Sequence, residues 1–333
     1  MTAGAPEGYR VERLAAVPGL GGLYAKGATS SARIAATRAL PGSVRGGRDG
    51  SDPTLPSVAL RVDHVATDLP DVADRLARYQ RLVGERVGDT IPAGFLHVLG
   101  FPVATGLMTR GDFPLPLLGM VHTANSASLV RPVRLGETLA VESWAEGLRP
   151  HRRGVTVDLV TRVLVDGEPA YRGVSTYLAK GVHLGSRASD DGSAPSADRS
   201  PHAGLPFVPT GRWRLGASTG RDYAAVSGDR NPIHMSALSA KAFGFPRAIA
   251  HGMYTAARAL AEVGPARGET YDWSVEFAKP VLLPSTVDVS ITRGTAGDEG
   301  AAGLDRWSYT VQDSRRGRTH LRGAVTRRDR THD

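Results

Sequence analysis

The residues best able to do chemistry lie between positions 223 and 260. At their centre is Ser227-Gly228-Asp229-Arg230-Asn231-Pro232-Ile233-His234, a carboxylate and an imidazole five residues apart with Asn-Pro between them. Asn followed by Pro reads as a helix N-cap with proline at the first helical position. A short helix over 233–243 is therefore predicted, with His234 in its first turn. The positive end of the helix dipole disfavours imidazolium there, so His234 is expected to be neutral at pH 7. Gly228 permits a tight bend just ahead of Asp229. A carboxylate and a neutral imidazole brought together in this way can converge on one small molecule such as water, as a general acid/base pair. Taken alone, Asp-x-x-x-x-His more often marks a cap and an ordinary histidine. The intervening Asn-Pro and a second element downstream favour catalysis.

That second element is His251-Gly252-Met253, followed by apolar residues at helical spacing: Met253, Ala256, Ala257, Leu260 and Val263. Gly264-Pro265 ends the helix. Gly252 would present its backbone N–H at the helix start, a preformed donor for a developing oxyanion. His251 reads as structural and is assigned no chemistry.

Gly-Asp-x-Asn-Pro-x-His followed by an apolar His-Gly-Met helix resembles the MaoC-like, or type-2 (R-specific), enoyl-CoA hydratases and dehydratases. Gly228, Asp229, Asn231, Pro232, His234, His251 and Gly252 carry the resemblance. It implies an α+β chain of the double hot-dog fold, two helix-wrapped antiparallel sheets in one chain. It also implies reversible hydration of a trans-2-enoyl thioester to the (R)-3-hydroxyacyl thioester, or the reverse dehydration. Asp229 and His234 then hold the catalytic water, the Gly252 N–H binds the thioester carbonyl, and Asn231 and Gly228 support them. No metal and no cofactor is implied, because coenzyme A or phosphopantetheine belongs to the substrate. The partner would be acyl-CoA or an acyl-carrier protein. Lys279 is a weak candidate for substrate phosphate or pantetheine; a solvated charge at a strand end is the favoured reading of it. A hot-dog thioesterase and a non-catalytic acyl-thioester-binding subunit are the alternatives.

Composition fits this frame. The 333 residues have room for two domains, and 41% hydrophobic content is ordinary for a globular protein. With no cysteine there is no disulfide framework, thiolate nucleophile or Cys-type metal site, and a cytoplasmic location is expected. No apolar run is long enough to span a membrane, and the N-terminus lacks the pattern of a secretory signal. The net charge of +8 comes nearly all from scattered arginines. Without a basic helix or interleaved aromatics it does not point to nucleic acid; attraction of anionic acyl carriers is the alternative use. Monomer and homodimer are both compatible with two fused units.

Along the chain, 1–55 read as a partly ordered arm without assigned chemistry, with a short helix over 33–40 and a loop over 43–53. Residues 56–183 read as a first, degenerate hot-dog-like domain. Helices are predicted over 72–82, with Asp71 as cap, and over 95–109, with Pro102 near its start. Strands follow over 139–148, 155–165 and 170–179, with Asp166-Gly167 as a hairpin turn. The Ser-, Asp- and Gly-rich stretch 184–205 reads as a linker. Residues 206–333 form the catalytic domain, with strand-like runs at 213–218, 271–277, 287–291, 307–311 and 320–326. RRDRTHD closes the chain as a solvated tail.

Arg131-Pro-Val-x-Leu-x-x-Thr recurs as Lys279-Pro-Val-x-Leu-x-x-Thr at an offset of 148 residues. This reads as an internal duplication of one helix-plus-sheet unit. The copies are unequal. The first half offers only Asp89 and His97, without the Asn-Pro cap, so one active site per chain is expected. By analogy with double hot-dog enzymes, 95–118 would line the acyl pocket; a plain core role explains the stretch equally well.

Overall fold

The central helix of the first half is apolar nearly all round and that of the second over most of its surface, so other elements must cover them before that surface leaves water. One sheet does this for both. The computed structural model describes residues 4–27, 53–182, 184, 207–294 and 305–328. The N-terminal segment supplies β1 (Arg10–Arg13) and a helical stretch α1 (20–27). The first half continues with β2 (Val58–Val65), α2 (Pro70–Val83), α3 (Ala93–Met108), β3 (Met120–Leu129), β4 (Leu139–His151), β5 (Gly154–Val165) and β6 (Glu168–Lys180). The second half opens with β7 (Gly211–Leu215), α4 (Thr219–Ser227), α5 (Pro232–Met235), α6 (Ala237–Ala242) and α7 (Gly252–Val263). It closes with β8 (Tyr271–Phe277), β9 (Ser285–Gly294), β10 (Arg306–Asp313) and β11 (Thr319–Arg327).

Among the described residues, eleven strands form a single sheet, ordered β1-β2-β4-β5-β6-β3-β8-β11-β10-β9-β7. Number the strands of each half from its own start, setting β1 aside. Both halves then read first-third-fourth-fifth-second, and each places its long helix after its first strand. The offset of 148 residues carries 123–129 of β3 onto 271–277 of β8. These two equivalent strands pair with each other, antiparallel, from Ala124↔Glu276 to Leu129↔Tyr271. Two helix-wrapped antiparallel units joined strand to strand in one chain are a double hot-dog fold.

A continuous core fills the wrap. Phe95 and Leu96 of α3, Leu260 of α7, and Trp213, Tyr271 and Trp273 of the second half belong to one buried cluster. Each of those aromatics buries about 150–250 Å². Small residues set the spacing. A Cβ on Gly94 would stand 2.2 Å from Tyr79 Oη and 3.2 Å from Ala257 Cβ, and one on Gly100 would stand 2.4 Å from Thr161 Cγ2. Glycine is what lets α3 lie against both α7 and β5.

Several sequence expectations shift in register or cause. Pro102 lies well inside α3 rather than near its start. The helix continues because it is buried nearly all round, so packing outweighs the lost N–H. Asp71 is in the first turn of α2, while Leu69 caps it and Pro70 begins it. The helix predicted over 233–243 is two helices, because Ser236 is extended (φ −154°) and its side chain accepts from the Ser239 N–H to cap α6. Residues 219–227, which carry no sequence-based prediction, form α4. The Asp166-Gly167 turn has φ of 52° and 84°, as the hairpin requires. Arg327 belongs to β11, and Arg328 pairs with Asp272 at 2.9 Å rather than forming a solvated tail. The helix expected over 33–40, and nearly all of the loop 43–53 and the linker 184–205, lie outside the described residues.

A nearly buried ion pair ties the halves together. Arg267, in the 3-10 turn after α7, donates to both carboxylate oxygens of Glu85 after α2, at 2.8 and 2.9 Å. It also donates to the Leu260 and Gly264 carbonyls, and its guanidinium lies over the Tyr271 ring. Both side chains are nearly buried. Removing one partner strands the other charge, so Glu85→Ala is expected to cost about 3–5 kcal/mol in urea unfolding. Glu85→Ala combined with Arg267→Met, which removes both charges, should cost less than Glu85→Ala alone.

Candidate active site

Helix α4 ends just ahead of Asp229. Gly228 caps it in the left-handed conformation (φ 78°), and its N–H donates to the Ala224 carbonyl at 2.9 Å. That turn lifts Asp229 off the helix. The Asn231 side chain then accepts from the Ile233 N–H at 3.4 Å, with Pro232 opening α5, as the Asn-Pro cap predicts. Gly220 fixes the position of this segment, because a Cβ there would stand 2.2 Å from the His234 carbonyl oxygen. The second half thus delivers Asp229 and His234 from consecutive short elements, and α7 delivers His251 at its N-cap.

These three side chains meet. A carboxylate oxygen of Asp229, a ring nitrogen of His234 and one of His251 lie within 4.8 Å of one another. The two imidazoles stack with centroids 3.6 Å apart. His251 Nε2 is 2.9 Å from the Asp229 carbonyl and 3.6 Å from Asp229 Oδ2. His234 Nδ1 is 2.8 Å from the Ile249 carbonyl. A carbonyl only accepts, so both of these nitrogens carry the proton. In neutral rings the lone pairs then lie on His234 Nε2 and His251 Nδ1. His251 Nδ1 is buried without a partner among the described residues, as an unprotonated nitrogen can be. The arrangement as it stands suits water, which donates two hydrogen bonds, to Asp229 Oδ2 and to His234 Nε2.

The electrostatics agree with neutral rings beside an ionised acid. Burial pushes the His251 imidazole down to about 3, aided by His234, while Asp229 opposes the shift. His234 is also lowered by burial, again against Asp229. Its neutrality was expected from a helix dipole, but α5 is only a four-residue turn and burial supplies the cause. Burial works to raise the Asp229 carboxyl, yet the net direction is down. The imidazoles, the Tyr24 hydroxyl and the Asn231 N–H (3.1 Å) outweigh the burial. With both rings neutral, the His251 Nε2–H, 3.6 Å from Asp229 Oδ2, is the ring dipole that faces the carboxylate.

Gly252 is the first residue of α7, where an N–H has no partner within the helix. A Cβ at this position would fall 2.9 Å from the Phe277 ring, so only glycine fits beside it. Lys279 is exposed in the connection after β8, two residues beyond Phe277. Asp89 is held by exposed Arg134 at 3.2 Å and stays away from the trio.

The first half nevertheless reaches the site. His97 and Phe101 stack at 5.9 Å and are two of the few α3 residues not fully buried. His97 stacks on His122 of β3 at 6.1 Å, and His122 on Tyr177 of β6 at 4.6 Å. His122 also meets Phe277 at 5.1 Å. His97, Phe101, Ala104, Leu159, Thr161, Ser175 and Tyr177 surround a small cavity of about 10 Å³. A broader groove of about 360 Å³ lies over the seam strands and contains none of the residues predicted from sequence. Sequence reasoning passed over His122, Tyr177 and Tyr24. The polar run His122-Thr-Ala-Asn-Ser-Ala-Ser128 has no strand signature, and Tyr24 falls in an arm without a motif.

Comparison with known proteins places this geometry in a family. Residues 212–302 match the family described as MaoC like domain. The chain is 37% identical over 272 residues to 3-hydroxyacyl-thioester dehydratase X of Mycobacterium tuberculosis, spanning 81% of this chain and 90% of that protein. It is 38% identical over 73 residues to the 3-hydroxybutyryl-CoA dehydratase of Methylorubrum extorquens, covering 21% and 46% of the two chains. The crystal structure of HtdX of M. tuberculosis superposes with a TM-score of 0.65 at 34% identity, covering 80% and 98%. The chain belongs to the MaoC-like dehydratase family.

Four neutral histidines around one carboxylate make the fold acid-sensitive. Burial holds His97 at about 4 and His122 at about 3, against 6.5 for an ordinary imidazole. Below pH 6.5 the unfolded chain therefore binds protons that the folded chain refuses. The melting temperature should be level above pH 6.5 and fall steadily as pH drops towards 4. A His97→Phe/His122→Phe double variant, melted across the same series, should lose less. An equal loss would show that these rings are not held neutral.

Proposed function

We propose that the chain catalyses reversible hydration of trans-2-enoyl thioesters to (R)-3-hydroxyacyl thioesters, with Asp229 and His234 holding the water. The observation that carries this is the pair of acceptors, Asp229 Oδ2 and His234 Nε2, set beside the N-terminus of α7. The dehydratase names of the relatives point to the same reaction, and the (R) configuration rests on the family resemblance.

The chemistry follows from the groups present. Water donates its two hydrogens to Asp229 and His234, and its oxygen bonds to C3 of the enoyl thioester. The C2=C3 electron pair moves towards the thioester oxygen as an enolate. The Gly252 N–H stabilises that oxyanion; one such donor typically contributes about 3–4 kcal/mol to barrier lowering. The proton leaving the water passes to the Asp229/His234 pair and returns to C2, so the step balances as addition of H and OH. Dehydration is the same path reversed. Substrate arrives on coenzyme A or an acyl-carrier protein and brings its own pantetheine; no resident metal or redox group takes part. The acyl chain extends past His97, Phe101 and Tyr177, and Lys279, exposed two residues beyond Phe277, would meet the substrate's phosphate or pantetheine.

Loss of enoyl absorbance with trans-2-enoyl-CoA substrates is the direct assay, with product chirality checked. Asp229→Asn and His234→Gln should each lower kcat/KM by about 10²–10⁴-fold without unfolding the protein. Activity should fall on acidification below pH 6.5, as His234 and then Asp229 take up protons. Thioester hydrolysis without hydration would overturn the assignment.

A further inference from the structure

We propose that Tyr24, outside both helix-wrapped units, is a positioning residue of the catalytic site: its hydroxyl holds Asp229 Oδ1, so that Oδ2 is the oxygen presented to water. The proposal rests on the reading of Asp229 and His234 given above.

The two carboxylate oxygens are used differently. Oδ1 accepts from the Tyr24 hydroxyl and from the Asn231 N–H at 3.1 Å. Oδ2 faces the imidazoles, 3.6 Å from His251 Nε2. A carboxylate fixed at one oxygen by a side chain and a backbone donor cannot swing its other oxygen away from the rings. Tyr24 is therefore suited to hold the acid rather than to take the place of its water. Its phenol stays protonated, because burial and the neighbouring carboxylate both raise its pKa. It remains a donor throughout the working range.

Tyr24 is also anchored. Its segment is joined to the fold at points on both sides of the tyrosine. β1 pairs in parallel with β2 from Arg10↔Val58 to Arg13↔Arg61. The Tyr9 hydroxyl donates to the Ala145 carbonyl at 2.9 Å, and the Leu14 N–H to the Arg61 carbonyl at 2.7 Å. Arg110 after α3 pairs with Glu12 at 2.6 Å. Along α1, Leu20 lies against Gly228, the residue before the acid, and Gly27 lies so close to Leu117 that a Cβ would stand 2.3 Å from it. Tyr24 packs with Tyr177 on the hydrophobic cluster under β5 and β6. Contacts this specific on either side of the hydroxyl fix its position to the precision a positioning group needs.

The test uses the full chain and the enoyl-CoA assay. Tyr24→Phe keeps the ring and removes only the donor. We expect kcat to fall on the order of 10- to 100-fold with KM changed little, which is the mark of an interaction realised in the reacting complex. The Asp229 step of the acid limb, which follows that of His234, should move to higher pH, because the carboxylate loses a donor to its charged form. The other groups facing Asp229 stay in place to define that limb: His234, His251 and Tyr223 from the second half, and His97, His122 and Tyr177 from the first. A rise in kcat or a fall in KM would show that Tyr24 obstructs the site, and would overturn the proposal. An unchanged kcat and limb would overturn it as well, by showing the contact to be passive. Asp229→Asn separates the two levels: if that variant keeps wild-type activity, the site reading itself has failed, whatever Tyr24→Phe does.

Discussion

An ionised carboxylate withdrawn from bulk water is the constraint to which the catalytic half is built. Burial works to raise the Asp229 pKa, against the ionised form. The chain prevents this with donors from separate elements: the Asn231 N–H at the start of α5, the Tyr24 hydroxyl on α1 and the His251 Nε2–H edge at the start of α7. The rings that face it must stay neutral to accept from water, and the same burial keeps them so. One physical term, desolvation, therefore acts usefully on the histidines and has to be countered on the aspartate.

Duplication supplies the surroundings. Two units with the same strand order need a seam, and the equivalent strands β3 and β8 provide it. The pairing brings His122 of β3 beside Phe277 of β8, which itself abuts Gly252. The first half has lost the Asn-Pro capped element but keeps its central helix, and that helix turns His97 and Phe101 towards the site of the other half. One unit holds Asp229, His234 and His251, and the other forms the wall beside them.

Close approach of backbone elements makes this possible. Gly94, Gly100, Gly220 and Gly252 each stand where a Cβ would strike a neighbour. They let α3 lie against α7 and β5, let α4 lie against α5, and let α7 begin under the Phe277 ring. These contacts fix distances between elements, and distances between elements fix the site.

The sequence by itself determined the local parts: the Gly228 bend, the Asn231-Pro232 cap, the helix running from Gly252 to Gly264, the alternating strands of each half and the repeat between them. Each follows from backbone preference or from a period of 2 or 3.6, which a short window contains. Tertiary structure decided what comes from elsewhere in the chain. It alone brought Tyr24 to an aspartate 205 residues away and stacked His251 on His234. It also made a strand of the polar run around Asn125, whose ladder partners lie on both sides of it in space. It kept Pro102 inside a helix, because burial on every side outweighs one missing hydrogen bond. A pattern within one segment reports which face that segment will bury. It carries no record of which other segment will cover that face.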